Sequence, residues 1–196
     1  MLLHEIIGII TVVMSIGIHV PYFLDTFRGK IRPHPFTWVL WTLLTIIIFI
    51  AQFIDGAGPG SWGTGVVAVF CVSITLASIR YGFQNIKPAD VIMFVVGLLT
   101  IPLWILTEDP TLSVIIIVVI DLIAFAPTYR KSYHKPYDEP LYHSSLNFIR
   151  HGLTLFAIAN FTLVTALFPF MVGIANGSLF LFLLWRRRAL KIEGKV

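Results

Sequence analysis

Charge is what this chain has least of. Only 12% of its 196 residues are Asp, Glu, Lys or Arg, against 57% hydrophobic, whereas soluble domains carry about 25% charged residues. A water-soluble globule of that composition would expose most of its apolar surface, so that class is excluded. Cysteine is almost absent. Cys71 stands alone, which rules out an intramolecular disulfide. No base suited to activating it lies near it in the sequence, so thiol catalysis is not expected. There is no HExxH, no cysteine pair and no glycine-rich phosphate loop, the patterns that would hold a metal or a nucleotide. No cofactor, no nucleotide-driven step and no enzyme activity are therefore expected. The last apolar run has no lysine, which argues against a retinal Schiff base. The N-terminal Met1–Glu5 segment has no basic residue and no obvious cleavage site follows. The first apolar run thus reads as a retained helix, not a signal peptide.

What fills the chain instead is hydrophobic length. Apolar runs cover 6–24, 36–54, 63–79, 91–106 and 111–128, and the stretch 141–184 is long enough for two more, with Pro169 the expected break. A bilayer-spanning helix needs roughly 17–25 such residues. The runs are continuously apolar and lack the alternation of a membrane barrel, so helices are the only suitable element. The expected fold is an all-α membrane protein with seven transmembrane helices, its surroundings the lipid bilayer.

The charges are distributed with a pattern. Apart from Arg150, every Lys and Arg follows run one, three, five or seven. The opposite connections carry Glu5, Asp55, Glu108 and Asp109 and no basic residue. The positive-inside rule places the N-terminus outside and the C-terminus in the cytoplasm, in a prokaryotic inner membrane. The basic loops are topology signals, not nucleic-acid sites, although the formal net charge is +4.

Fixed offsets connect the two ends of the chain. Pro35 and Pro140, Lys30 and Lys135, Asp55 and Asn160, and Ser73 and Ser178 lie 105 positions apart; Pro21 and Pro127 lie 106 apart. Each unit reads as helix, proline, basic loop, proline, helix, short turn, helix. Two three-helix units joined by one linker helix must share the same orientation, an arrangement known among transporters. The expected organisation is 1–82 for the first unit, 83–110 for the linker helix, 111–188 for the second unit and 189–196 for a cytoplasmic tail. Helices two and three of the first unit are expected to face helices six and seven of the second.

This layout resembles the SWEET/PQ-loop superfamily, which includes bacterial half-size SWEETs and PnuC-type vitamin transporters. The 3+1+3 order, the orientation of the termini and the prolines Pro21, Pro35, Pro127 and Pro140 carry the resemblance. It implies that these prolines are hinges for alternating access and that Asn176 corresponds to a substrate-site asparagine in helix seven. Tyr22 and Thr128 stand where the PQ pair has glutamine. Cys71, 105 positions before Asn176, stands where a partner asparagine is expected.

Two charges fall inside apolar runs, where insertion scales put the cost at roughly 2.5–3.5 kcal/mol each. Asp121 and Arg150 both lie roughly 12–14 Å from the cytoplasmic side at 1.5 Å per residue. They read as a buried charge pair, either coupling ions, clamping an anion or simply locking two helices. Asn147 shares a face with Arg150. His151 points elsewhere and reads as a hydrogen-bonding spacer or a titrating group. Asn176 lies at a similar depth and reads as a ligand or as interhelical glue. Trp41, one turn deeper than Trp38, suits stacking on a substrate, while Trp38, Trp62, Trp104 and Trp185 read as interfacial anchors. Ser73 and Ser178 suit bonds to their own helices. The expected function is transport of a small polar solute (a sugar, a vitamin, or a small zwitterion or anion). Trp41, Cys71, Asn147, Arg150 and Asn176 would line its site. The rivals are a non-transporting receptor or sorting protein and an accessory module of a lipid-processing system. A homo-oligomer is compatible with each.

Overall fold

The computed structural model describes residues 2–29, 35–79, 109–134, 136–137, 139 and 141–192, with scattered positions between 88 and 102. The helices are α1 (Leu2–Phe27), α2 (Pro35–Ile54), α3 (Trp62–Ile79), α4 (Pro110–His134), α5 (Leu141–Ala157) and α6 (Leu163–Ile192), with a 3-10 turn at Gly58–Ser61. The last three correspond to apolar runs five, six and seven. The fourth run is described only at scattered positions, all of them helical. No strand occurs among the described residues. Leu2–Phe27, Gly58–Ile79 and Leu163–Ile192 are long and apolar enough to cross a bilayer, and Trp38–Ile54 and Pro110–Ile123 are shorter apolar stretches.

The helices wear their polarity inside out. On α1, Ile9, Val13 and Ile16 are exposed, while Gly8, Thr11, Ser15 and Ile18 are buried at helical spacing. On α5, Phe148, Ile149 and Phe156 are exposed, while Ser144, Asn147, Arg150, His151 and Thr154 are buried. In water the hydrophobic effect would reverse both faces. In lipid the apolar face costs nothing, and small and polar residues hold the helices together. Gly8 shows how closely: a Cβ there would lie 2.7 Å from Pro59 Cβ.

The break between the last two helices is not at Pro169, which lies inside α6. It falls at 158–162, and two local causes account for it. Thr162 caps α6 reciprocally with Thr165: Thr165 N–H donates to Thr162 Oγ1 (3.2 Å) and Thr162 N–H to Thr165 Oγ1 (2.9 Å), in the manner of a capping box. Pro169 has no N–H and orphans the carbonyl four residues earlier. That carbonyl belongs to Thr165, and the fully buried Gln52 of α2 donates to it from Nε2 at 3.3 Å. A side chain from another helix thus supplies the missing donor, and the helix continues through the proline. At the start of α4, Asp109 Oδ1 accepts from Thr111 N–H at 2.8 Å, an N-cap with Pro110 in the first helical position.

Packing follows the same order twice. α3 lies between α1 and α2, and α6 lies between α4 and α5. Across the two sets, the main contact is α1 on α5, and α2 touches α4 and α6 to a similar, smaller extent. The expected contact of helix two with helix seven is present as α2 on α6, but the principal contact between the sets, helix one on helix six, was not expected. Each central helix packs mainly within its own set, so most of the contact between the sets falls to the outer helices. An apolar seam including Leu44, Ile48 and Ala51 of α2 and Val114, Ile117 and Val118 of α4 fills one such contact.

The turns 55–61 and 158–162 meet at one end of the molecule. Ala159 N–H donates to Ala57 O (2.9 Å), Asn160 Nδ2 to Asp55 O (2.8 Å), and Thr162 Oγ1 to Asp55 Oδ2. A Cβ on Gly60 would lie 2.7 Å from Ile158 Cγ1 and 2.8 Å from its Cα, so only glycine permits this approach. At the opposite end, Arg187 donates to Pro136 O and Glu139 O and lies over the Tyr137 ring at 4.8 Å. Arg186 lies 4.3 Å from the centre of the Tyr133 ring. These contacts tie the α4–α5 connection to the end of α6.

Candidate functional site

A cavity of about 660 Å³ lies between the two helix sets, within the 300–1,000 Å³ typical of small-molecule sites. Its lining runs from Thr64, near the joined turns, to Asp25, Thr128 and Glu139, at the opposite helix ends. Trp41, Cys71, Asn147, Arg150 and Asn176 all line it, as do Asp121 and Pro21.

The polar side chains at its centre are held by their own helices. Asn147 Nδ2 donates to His143 O (3.0 Å) and Asn176 Nδ2 to Val172 O (2.9 Å). Arg150 Nε donates to Asn147 Oδ1 at 3.3 Å, and its Nη2 lies 2.8 Å from His151 Nε2. Such local bonds fix the side chains and leave part of their donor and acceptor capacity for the cavity. Asp121 and Arg150 share the cavity but form no ion pair among the described residues. Asp121 is on α4 and Arg150 on α5, and α6 lies between these helices, so equal depth does not bring the two charges into contact; Arg150 turns to Asn147 and His151 instead.

One wall is aromatic. Tyr22 and Trp38 have ring centres 5.1 Å apart, and Trp38 and Trp41 meet edge to face at 5.3 Å. Cys71 packs with Trp38 and Ile74. Trp38 is only 8% exposed, so it belongs to this wall and not to a lipid interface. Trp62 and Trp185 are 40% and 56% exposed. Trp104 lies outside the described residues.

No family model, curated protein or solved structure matches this chain. The site therefore rests on its own geometry.

Several lining residues were not singled out by sequence: His19, Asp25, Thr45, Glu139 and His143. His19 had a readable signal, since it interrupts the first apolar run just as Asp121 interrupts the fifth. Its Nδ1–H donates to Ser15 O at 2.8 Å, and the ring stacks on Phe70 at 5.7 Å. Ser73 donates to its own helix at Val69 O. Ser178 donates to Ala175 O and also lies 2.6 Å from the Tyr129 hydroxyl, a contact between α4 and α6. Pro21 is inside α1, Pro35 opens α2 and Pro127 falls within α4. The side chains of Pro35 and Pro127, and Pro140 altogether, lie outside the described residues.

Proposed function

We propose that this chain is a seven-span, SWEET-like membrane transporter that carries a small polar solute by alternating access between two parallel three-helix units. The observation that carries this reading is pairing within the cavity lining. Trp38 and His143, Thr45 and Arg150, Val67 and Val172, and Cys71 and Asn176 are pairs 105 positions apart, and both members of every pair line the cavity. His19 with Phe125 and Tyr22 with Thr128 do the same at 106. Two repeats related by an axis along the membrane normal would line an axial cavity in just this paired fashion. The matched packing order of the two helix sets supports the same reading.

In this reading the joined turns are a closed gate, and solute reaches the cavity from the end bearing Asp25 and Glu139. The segment 83–110 is the linker helix. Arg28 follows the end of α1, and Arg186, Arg187, Arg188 and Lys191 lie in the last turns of α6, at the side away from Asp55 and Asp109. That separation supports a cytoplasmic C-terminus and an outside N-terminus in a prokaryotic inner membrane. The partners are then the lipid bilayer and a small molecule, with no nucleic acid, no cofactor and no enzyme chemistry. Homo-oligomerisation is not needed to complete the cavity.

A receptor on the same fold would keep the turns joined; a transporter must part them. The test is uptake by proteoliposomes from a panel of sugars, vitamins, amino acids and carboxylates. Transport of one class, abolished by Trp41→Ala and by Asn176→Ala while both variants insert and stay monodisperse, is the expected result. Saturable binding with no uptake of any bound solute would leave the receptor reading.

A further inference from the structure

Arg150 breaks the pairing of the cavity chemically. Its counterpart in the first helix set is Thr45, so the cationic side chain belongs to one wall only. Arg150 is 4% exposed and so is His151. A guanidinium has donors and no acceptor. The 2.8 Å contact from Arg150 Nη2 therefore makes His151 Nε2 the acceptor, and the ring proton sits on Nδ1. That Nδ1 is buried and has no partner among the described residues. A buried donor left unmatched costs about 1–3 kcal/mol, so it calls for an acceptor.

None of the described residues provides that acceptor. Asp121 lines the cavity without pairing to Arg150 among the described residues. Asp25 and Glu139 line its other end. Arg150 spends Nε on Asn147 and one Nη2 hydrogen on His151, which leaves three of its five N–H groups. A guanidinium with free donors beside an orphan imidazole N–H is the complement of an oxyanion. Across the cavity, the Tyr22, Trp38 and Trp41 rings present flat apolar surface.

The geometry points to an anion seat: Arg150 and His151 receive the carboxylate or phosphate oxygens of a small organic anion whose apolar body lies toward Trp38 and Trp41. This deepens the transport reading and rests on the cavity being the solute site. Asn147 positions Arg150 by holding Nε, and Asn176 borders the body of the solute.

The test compares matched probes on the detergent-purified full chain by calorimetry at one pH. Benzoate and benzamide share shape and differ in charge; phenyl phosphate carries the alternative oxyanion. Charge-assisted bonds should make benzoate or phenyl phosphate bind at least about tenfold tighter than benzamide, and the tighter of the two tells carboxylate from phosphate. Arg150→Gln should erase the preference, and Arg150→Lys should retain part of it. If Arg150→Gln does not fold, the wild-type comparison decides alone. Benzamide binding as tightly as the anions, or no probe binding at all, overturns the seat. Proteoliposome uptake separates this failure from failure of the transport reading. A bound phenyl phosphate that is not taken up leaves the seat and removes transport. Uptake of a neutral solute undiminished in Arg150→Gln leaves transport and removes the seat.

Discussion

Opening of the joined turns should be controllable through one carboxylate. Three hydrogen bonds cross between them: Ala159 N–H to Ala57 O, Asn160 Nδ2 to Asp55 O, and Thr162 Oγ1 to Asp55 Oδ2. Asp55→Ala deletes the last and spares the two that end on backbone carbonyls. A bond to a charged group contributes about 1.5–3 kcal/mol. Asp55 is only half-buried, so the lower figure applies, and about 1.4 kcal/mol is tenfold in an equilibrium. The fraction of molecules open at this end should thus rise about tenfold. The protein contains its own reporter. Cys71 is the sole thiol, 4% exposed, and lines the cavity. A membrane-impermeant thiol reagent applied from the turn side should label wild-type Cys71 slowly and Asp55→Ala about tenfold faster. Asp55→Asn keeps an amide oxygen to accept from Thr162 and should show a smaller rise. Cys71→Ser supplies the blank, and an unchanged Tm excludes unfolding as the cause. Equal labelling rates in wild type and Asp55→Ala would refute the idea that these bonds form a gate.

Further outcomes follow from single contacts. Gln52→Leu should cost about 0.6–1.7 kcal/mol, the range for a hydrogen bond within a membrane, but nothing in a Pro169→Ala background, where residue 169 regains its own donor; additive costs in an unfolding cycle would show that Gln52 does not serve the proline. Asp121→Asn should change stability by less than about 1 kcal/mol, because no ion pair is lost, whereas removing one partner of a true buried pair costs about 3–5 kcal/mol; a loss of that larger size in detergent would mean the pair forms after all. Gly60→Ala should destabilise by about 1–3 kcal/mol through overpacking against Ile158, and an unchanged Tm would count against the close approach of the turns. Reporter fusions should be active in the cytoplasm at Val196 and in the periplasm at Asp55 and Glu108; cytoplasmic activity at Glu108 would sink the seven-span order.

Hydrophobic length and the segregation of charge were legible because both act locally along the chain. The helix break was not. Pro169 looked like a stop because the sequence shows the donor it lacks, but not Gln52, which serves the orphaned carbonyl from 113 positions away. The capping exchange between Thr162 and Thr165 was in principle readable, but it sits in a stretch where apolar residues drown the signal. The buried charges illustrate a different limit. Counting residues from a helix end gives depth, and Asp121 and Arg150 do reach one cavity. It does not show that the two helices are separated by α6, and contact requires that they be neighbours.

The 105-residue offset reaches further than its few identities suggest. A two-fold axis brings each position near it close to its own counterpart, so equivalent residues should touch one another where the units meet. Asp55 and Asn160 are such a pair, and Asn160 Nδ2 donates to Asp55 O. Lower down, where the units part, the pairs no longer touch but face the same cavity, as Cys71 and Asn176 do. Contact at one end and separation below it is the shape that two rocking units would give when closed at the turns. The side chains along this axis need not match for the backbones to do so. Cys71 against Asn176 and Thr45 against Arg150 show the two walls diverging in chemistry while keeping register. In the proposed transporter, divergence of that kind would erase sequence identity first at the positions a solute touches.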